Sequence, residues 1–119
     1  MIVRAIAKNV GHPPRKVRRV TEAIKGMSVP KALATLKFLP NAPARDVSQV
    51  VASAAANAET NYELDIDRLW VVNAMADEGP TTKRFRARPH GRASRIMRRS
   101  THITVYVSDD RADLPKNVR

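Results

Sequence analysis

The chain has 119 residues, no cysteine and a formal charge of +11, with 22 lysines and arginines against 11 aspartates and glutamates. That length suits one domain with a modest core, and the missing cysteine excludes disulfides, thiolate metal sites and cysteine nucleophiles. The basic excess points to a polyanion, either nucleic acid or an anionic membrane surface. No stretch approaches the ~18–20 apolar residues of a membrane span, and no amphipathic segment joins a basic face to aromatic anchors, so no membrane partner is expected. The opening residues lack the apolar run and cleavage site of a signal peptide, and a cytoplasmic location is expected.

Residues 2–9 alternate as a strand, with Val3, Ala5 and Ala7 on one face and Arg4 and Lys8 on the other. Gly11-His12-Pro13-Pro14 breaks it, and Pro14 suits the first turn of a helix whose apolar stripe is Val17, Val20 and Ile24 and whose terminator is Gly26. Ser28 is placed to cap a second helix with Val29, Leu33 and Leu36 facing inward, stopped at Pro40. Asn41-Ala42-Pro43 starts a third and longest helix. Its stripe is Val47, Val50, Val51, Ala54, Ala55, Ala58 and Tyr62, and its alanines admit close approach of another element. Asp65 and Asp67 punctuate a turn before a strand over Leu69 to Ala76, and Thr101 to Val107 alternates as the last strand.

Between those strands lies the most unusual segment. Residues 79–108 carry Lys83, Arg84, Arg86, Arg88, Arg92, Arg95, Arg98 and Arg99, with no acid among them. Gly79-Pro80 opens the run and Pro89-His90-Gly91 divides it, which reads as a β-hairpin over about 79–102. About 12 residues per arm at ~3.3 Å each would carry its tip up to ~40 Å from the sheet. Pro89 and Gly91 suit positions i+1 and i+3 of a type I turn at that tip, residues Arg88 to Arg92. Alternation sets Arg84, Arg86 and Arg88 in a row opposite Phe85, Ala87 and Pro89. Such a guanidinium ladder engages successive phosphates, whereas ordinary charged surfaces intersperse both signs. The hairpin has almost no apolar face to bury, and a lone two-stranded ribbon is marginal in water, so its order is expected to come from a polyanionic partner. The predicted fold class is therefore α+β: three helices on a small antiparallel three-stranded sheet, with a long protruding β-hairpin. Residues 1–108 form the domain, and 109–119 form a tail expected to be disordered.

A second basic cluster, Arg15, Lys16, Arg18 and Arg19, crowds the start of the first helix, where cations oppose the helix dipole unless a phosphate is bound. By contrast, residues 59–78 hold six acids (Glu59, Glu63, Asp65, Asp67, Asp77, Glu78) against Arg68 alone. The molecule is thus expected to be electrically oriented.

Catalytic patterns fail. Gly79-Pro80-Thr81-Thr82-Lys83 lacks the second glycine and Lys-Ser/Thr pair of a phosphate loop, and Asp65 and Asp67 have no base beside them. His12, His90 and His102 have no ligand spacing, so neither a metal, nor a cofactor, nor an enzymatic activity is expected.

Ordered motifs then carry a resemblance. Ser53-Ala54-Ala55-Ala56-Asn57-Ala58-Glu59, Asp77-Glu78-Gly79-Pro80, Lys83-Arg84, Gly91-Arg92-Ala93 and His102-Ile103-Thr104-Val105 follow in an order similar to the bacterial large-subunit ribosomal protein family numbered twenty-two, over residues 1 to about 108. The resemblance implies a structural component of the large ribosomal subunit that binds its rRNA, aids subunit assembly and lines the peptide exit tunnel with the hairpin. It implies as partners neighbouring subunit proteins, among them the tunnel protein numbered four, and the nascent polypeptide near the tip. The expected rRNA-binding set is Arg15, Lys16, Arg18, Arg19, Lys83, Arg84, Arg86, Arg88, Arg92, Arg95, Arg98 and Arg99. The expected tunnel-wall tip is Arg88, Pro89, His90, Gly91 and Arg92. The chain departs from the family at Ala87 (often proline), His90 (lysine), Arg86 (apolar) and Ala55 (a larger aliphatic). The residues alone also admit an architectural DNA-binding protein with a basic β-arm, although such arms favour an apolar wedge near the tip, where this chain has arginines.

Overall fold

The computed structural model describes residues 1–114. Strand β1 (Ile2–Val10) is followed by helices α1 (Pro14–Ile24), α2 (Val29–Phe38) and α3 (Ala44–Tyr62), then by β2 (Trp70–Glu78), β3 (Thr82–Ala87), β4 (Ala93–Arg98) and β5 (Thr101–Ser108). β5 lies at the centre of an antiparallel three-stranded sheet of order β1-β5-β2, while β3 and β4 pair only with each other. The fold class is α+β, as the sequence indicates.

Pairing register decides which side chains form the core. Val3, Ala5 and Ala7 stand opposite Val107, Val105 and Ile103, which also face Val71, Ala74 and Ala76 of β2. On this face α1 packs against β2, and α3 lies across β1 and β5. Val17, Val20 and Ile24 of α1 are buried there, as are Val47, Val50, Val51, Ala54, Ala55 and Ala58 of α3. The alanines supply the close approach their size allows. Each fully buried valine contributes roughly 1.5–3 kcal/mol relative to exposure.

Several local expectations differ from what forms. Tyr62 is 48% exposed, so the α3 stripe ends at Ala58. The helix then closes at Glu63, whose left-handed backbone donates its N–H to the Glu59 and Ala58 carbonyls. Ser28 makes no side-chain cap. Instead it bridges to Trp70, and the Val29 N–H donates to the Leu69 carbonyl (2.9 Å), tying the start of α2 to β2. Ala32 is buried in α2, while Leu33 is only half-buried.

The tail expectation needs correction over its first half. Residues Arg111–Asp113 form a 3₁₀ turn, with Asp110 accepting from the Ala112 N–H and Asp113 from the Ser108 hydroxyl. The Arg111 guanidinium lies 5.5 Å from the Trp70 ring centre, and Leu114 is buried. Asx-type turns and one aromatic anchor hold this segment where no periodicity advertised it. The remainder of the expected tail, 115–119, lies outside the described residues.

Candidate nucleic-acid interface

Strand β2 runs out of the sheet into β3 through residues 79–81, and β4 returns through residues 99–100 into β5, so these two connections form a joint at the root of the arm. At the joint the Gly79 N–H donates to the Ser100 carbonyl (2.9 Å) and the Ser100 hydroxyl to the Pro80 carbonyl (2.6 Å). A Cβ on Gly79 would meet the Ser100 Oγ at 2.7 Å, so any larger residue here must push the Ser100 hydroxyl aside. The molecule consequently measures 61 × 25 × 25 Å, and the arm makes the difference. The ladder beyond the joint is six residues per strand, about 20 Å at ~3.3 Å each. Of the roughly 12 residues per arm expected from sequence, six per strand pair as a ladder beyond the joint.

Register assigns the ribbon two chemically different faces. Arg84 pairs with Ile96, Arg86 with Ser94 and Thr82 with Arg98, so Arg84, Arg86 and Arg98 share one face. Ile96 and Ser94 are half-buried between them, consistent with arginine stems covering the strand. Phe85 pairs with Arg95 and Lys83 with Met97 on the other face. There Phe85 is 70% and Met97 42% exposed. The sequence expectation of almost no apolar face thus overlooked Met97, which joins Phe85 only when the return strand is in register.

Arg88 and Arg92 close the tip, where the Arg88 N–H donates to the Arg92 carbonyl (2.6 Å). The turn is not type I. His90 has φ 65 and ψ 29, and Gly91 has φ 69, both in the left-handed region. A type I turn would hold His90 near φ −90.

The helix cluster splits between two clefts. Arg15 and Arg18 line one with Pro13, Pro14, Glu78 and Arg99, at the foot of the arm. The Arg18 Nε–H donates to the Ala76 carbonyl of β2 (3.1 Å), and Arg99 pairs with Glu78 (3.1 Å). Lys16 and Arg19 line a second cleft with His12, Asn41, Ala42 and Pro43, where His12 Nε2 lies 3.0 Å from the Asp46 carboxylate. Sequence reasoning missed Glu78 as a partner of Arg99 and His12 as a neighbour of the helix cations. The predicted hairpin brought the two ends of the arm together, but the register that sets Arg99 beside Glu78 was not legible.

His102, in turn, accepts the Asn9 N–H at Nδ1 (3.2 Å). Asn9 has φ 59 at a β-bulge, a conformation asparagine tolerates. Among the described residues no group of His, Asp and Glu has the arrangement of a metal site, and no helix is long and apolar enough to cross a membrane.

A small α+β body carrying a cationic ribbon defines a binding module of the nucleoprotein class. Comparison with known proteins gives the class its family. Residues 5–108 match the family Ribosomal protein L22p/L17e. The chain is also 47% identical over 109 residues to the large ribosomal subunit protein uL22 of Clostridium novyi (strain NT), covering 92% of this chain and 98% of that relative. The chain belongs to the L22p/L17e family of ribosomal proteins. It is a structural, non-enzymatic component of the large subunit, resident in the cytoplasmic ribosome, with rRNA and ribosomal proteins as its partners.

Proposed function

We propose that the chain binds large-subunit rRNA through the ribbon and the start of α1, aids assembly of the subunit, and lines the polypeptide exit tunnel with its hairpin. The observation that carries this reading is the acid-free ribbon, with Arg84, Arg86 and Arg98 in register on one face. Fork-shaped guanidiniums at strand spacing match a phosphate backbone, and no carboxylate on the ribbon competes for them. Lys83 and Arg95 extend the charge to the opposite face, beside Phe85 and Met97. These apolar side chains suit stacking on unpaired bases.

Residues 1–108 act as one unit, with Arg15, Lys16, Arg18 and Arg19 holding RNA against the body. The tip, Arg88 to Arg92, is assigned to the tunnel wall beside the tunnel protein numbered four, within reach of the nascent polypeptide. Membership of a ribosomal family sets aside the architectural DNA-binding alternative.

Sedimentation tests the reading. The purified chain should travel with large subunits and remain through moderate salt washes. Recovery of the chain free, or on chromosomal DNA, would reject it.

A further inference from the structure

The cleft at the foot of the arm has an unusual charge arrangement. Three guanidiniums from two separate elements, Arg15 and Arg18 of α1 and Arg99 from the joint, line a space of about 330 Å³ against a single carboxylate, Glu78. Like charges gathered this way repel one another unless an anion joins them. Part of this arrangement is fixed in advance, while Arg99 is held only by an exposed ion pair. Pro13 and Pro14 form one wall, Arg18 is tethered through Nε to the Ala76 carbonyl, and Arg99 is held by Glu78. The Glu78 side chain is 61% exposed and that of Arg99 51%, so the pair is open to exchange of partners.

We propose that this cleft binds one RNA backbone phosphodiester shared by Arg15, Arg18 and Arg99, with Glu78 occupying Arg99 in its place while RNA is absent. The inference rests on the rRNA-binding reading and adds a particular site to it. The chemistry selects the ligand: a cation would face three positive groups, and an apolar ligand would bury them. A phosphate oxygen pair matches the guanidinium fork and exceeds a lone surface carboxylate in charge-assisted hydrogen bonding. Because Arg99 belongs to the root of the ribbon and Arg15 and Arg18 to the body, one phosphate bound between them ties the arm to the domain.

The test uses the full chain and transcribed large-subunit rRNA, with affinity measured against salt concentration. If the three arginines share one phosphate, the triple Arg15→Gln, Arg18→Gln, Arg99→Gln variant lowers the salt slope by about one contact, ~0.7–0.9, and each single variant by no more than that. A loss near three contacts means three separate phosphates and overturns the shared site. An unchanged slope in the triple variant overturns it as well. Glu78→Gln should tighten binding more than Glu59→Gln, an exposed carboxylate on α3. That excess should vanish when Arg99 is also Gln. Equal effects of the two Glu→Gln changes contradict the exchange of partners. Inorganic phosphate provides the remaining arm, read from the side-chain Nε–H resonances of Arg18 and Arg99. Shifts there with an unaltered RNA salt slope in the triple variant would reassign the cleft to free phosphate. Failure of the unaltered chain to bind rRNA at all would instead reject the rRNA reading.

Discussion

At the residue scale, the ribbon depends on arginine as a shape as well as a charge. Arg84→Lys with Arg86→Lys keeps the charge but loses the planar fork. The expected outcome is weaker rRNA binding at every salt concentration with a nearly unchanged salt slope, whereas alanine at both positions should also flatten the slope by up to ~0.7–0.9 per lost phosphate. His90 presents a different problem. Its left-handed backbone costs roughly 1–2 kcal/mol for a residue with a Cβ. His90→Gly should therefore slow exchange of the Arg88 amide, which closes the tip, and His90→Val should speed it. Equal exchange in the two variants would show that the tip does not hold this conformation in solution. The sequence announced a turn here through Pro89 and Gly91, but the turn type was not legible, because nothing local forces a histidine to positive φ.

At the scale of elements, α3 and its sheet are where pattern translated most directly into structure. The stripe from Val47 to Ala58 is buried as its spacing requires, since a helix lying across two strands can hide only one face. Ala54 is fully buried, so Ala54→Leu should overpack this seam and destabilise the chain by about 1–3 kcal/mol in urea unfolding. An unchanged midpoint would mean that the helix can shift outward at no cost. The joint was less legible. Gly79 and Ser100 meet only because β2 and β5 pair along their whole length, and a contact 21 positions apart in sequence leaves no local signature. Gly79→Ala should displace the Ser100 hydroxyl from the Pro80 carbonyl. Its signature should be increased amide exchange at the joint, with the core amides of β5 unaffected.

At the scale of the whole molecule, charge is sorted along the long axis. Glu78 and Thr101 stand paired at the arm end of the sheet, and Trp70 and Ser108 at the opposite end. Glu59, Glu63, Asp65 and Asp67 close α3 and lead into Trp70, while Asp109, Asp110 and Asp113 follow Ser108. Seven of the 11 acids therefore gather at the end away from the ribbon. The sorting favours entry of the arm first into an anionic cavity and keeps the acidic end out of it. The polarity was visible in sequence as two basic runs around an acidic one. The contribution of residues 109–113 was not, because a short segment held by Asx turns and one cation–π contact has no periodicity to read.

The central claim is that rRNA stabilises an arm with little stability of its own, and amide hydrogen exchange tests it most directly. Amides in Thr82–Ala87 and Ala93–Arg98 that bond across the ribbon should exchange quickly in the free chain, far ahead of those in β5, and become strongly protected in the assembled large subunit. Equal and strong protection in both states would contradict the account, since the ribbon would then be stable without RNA.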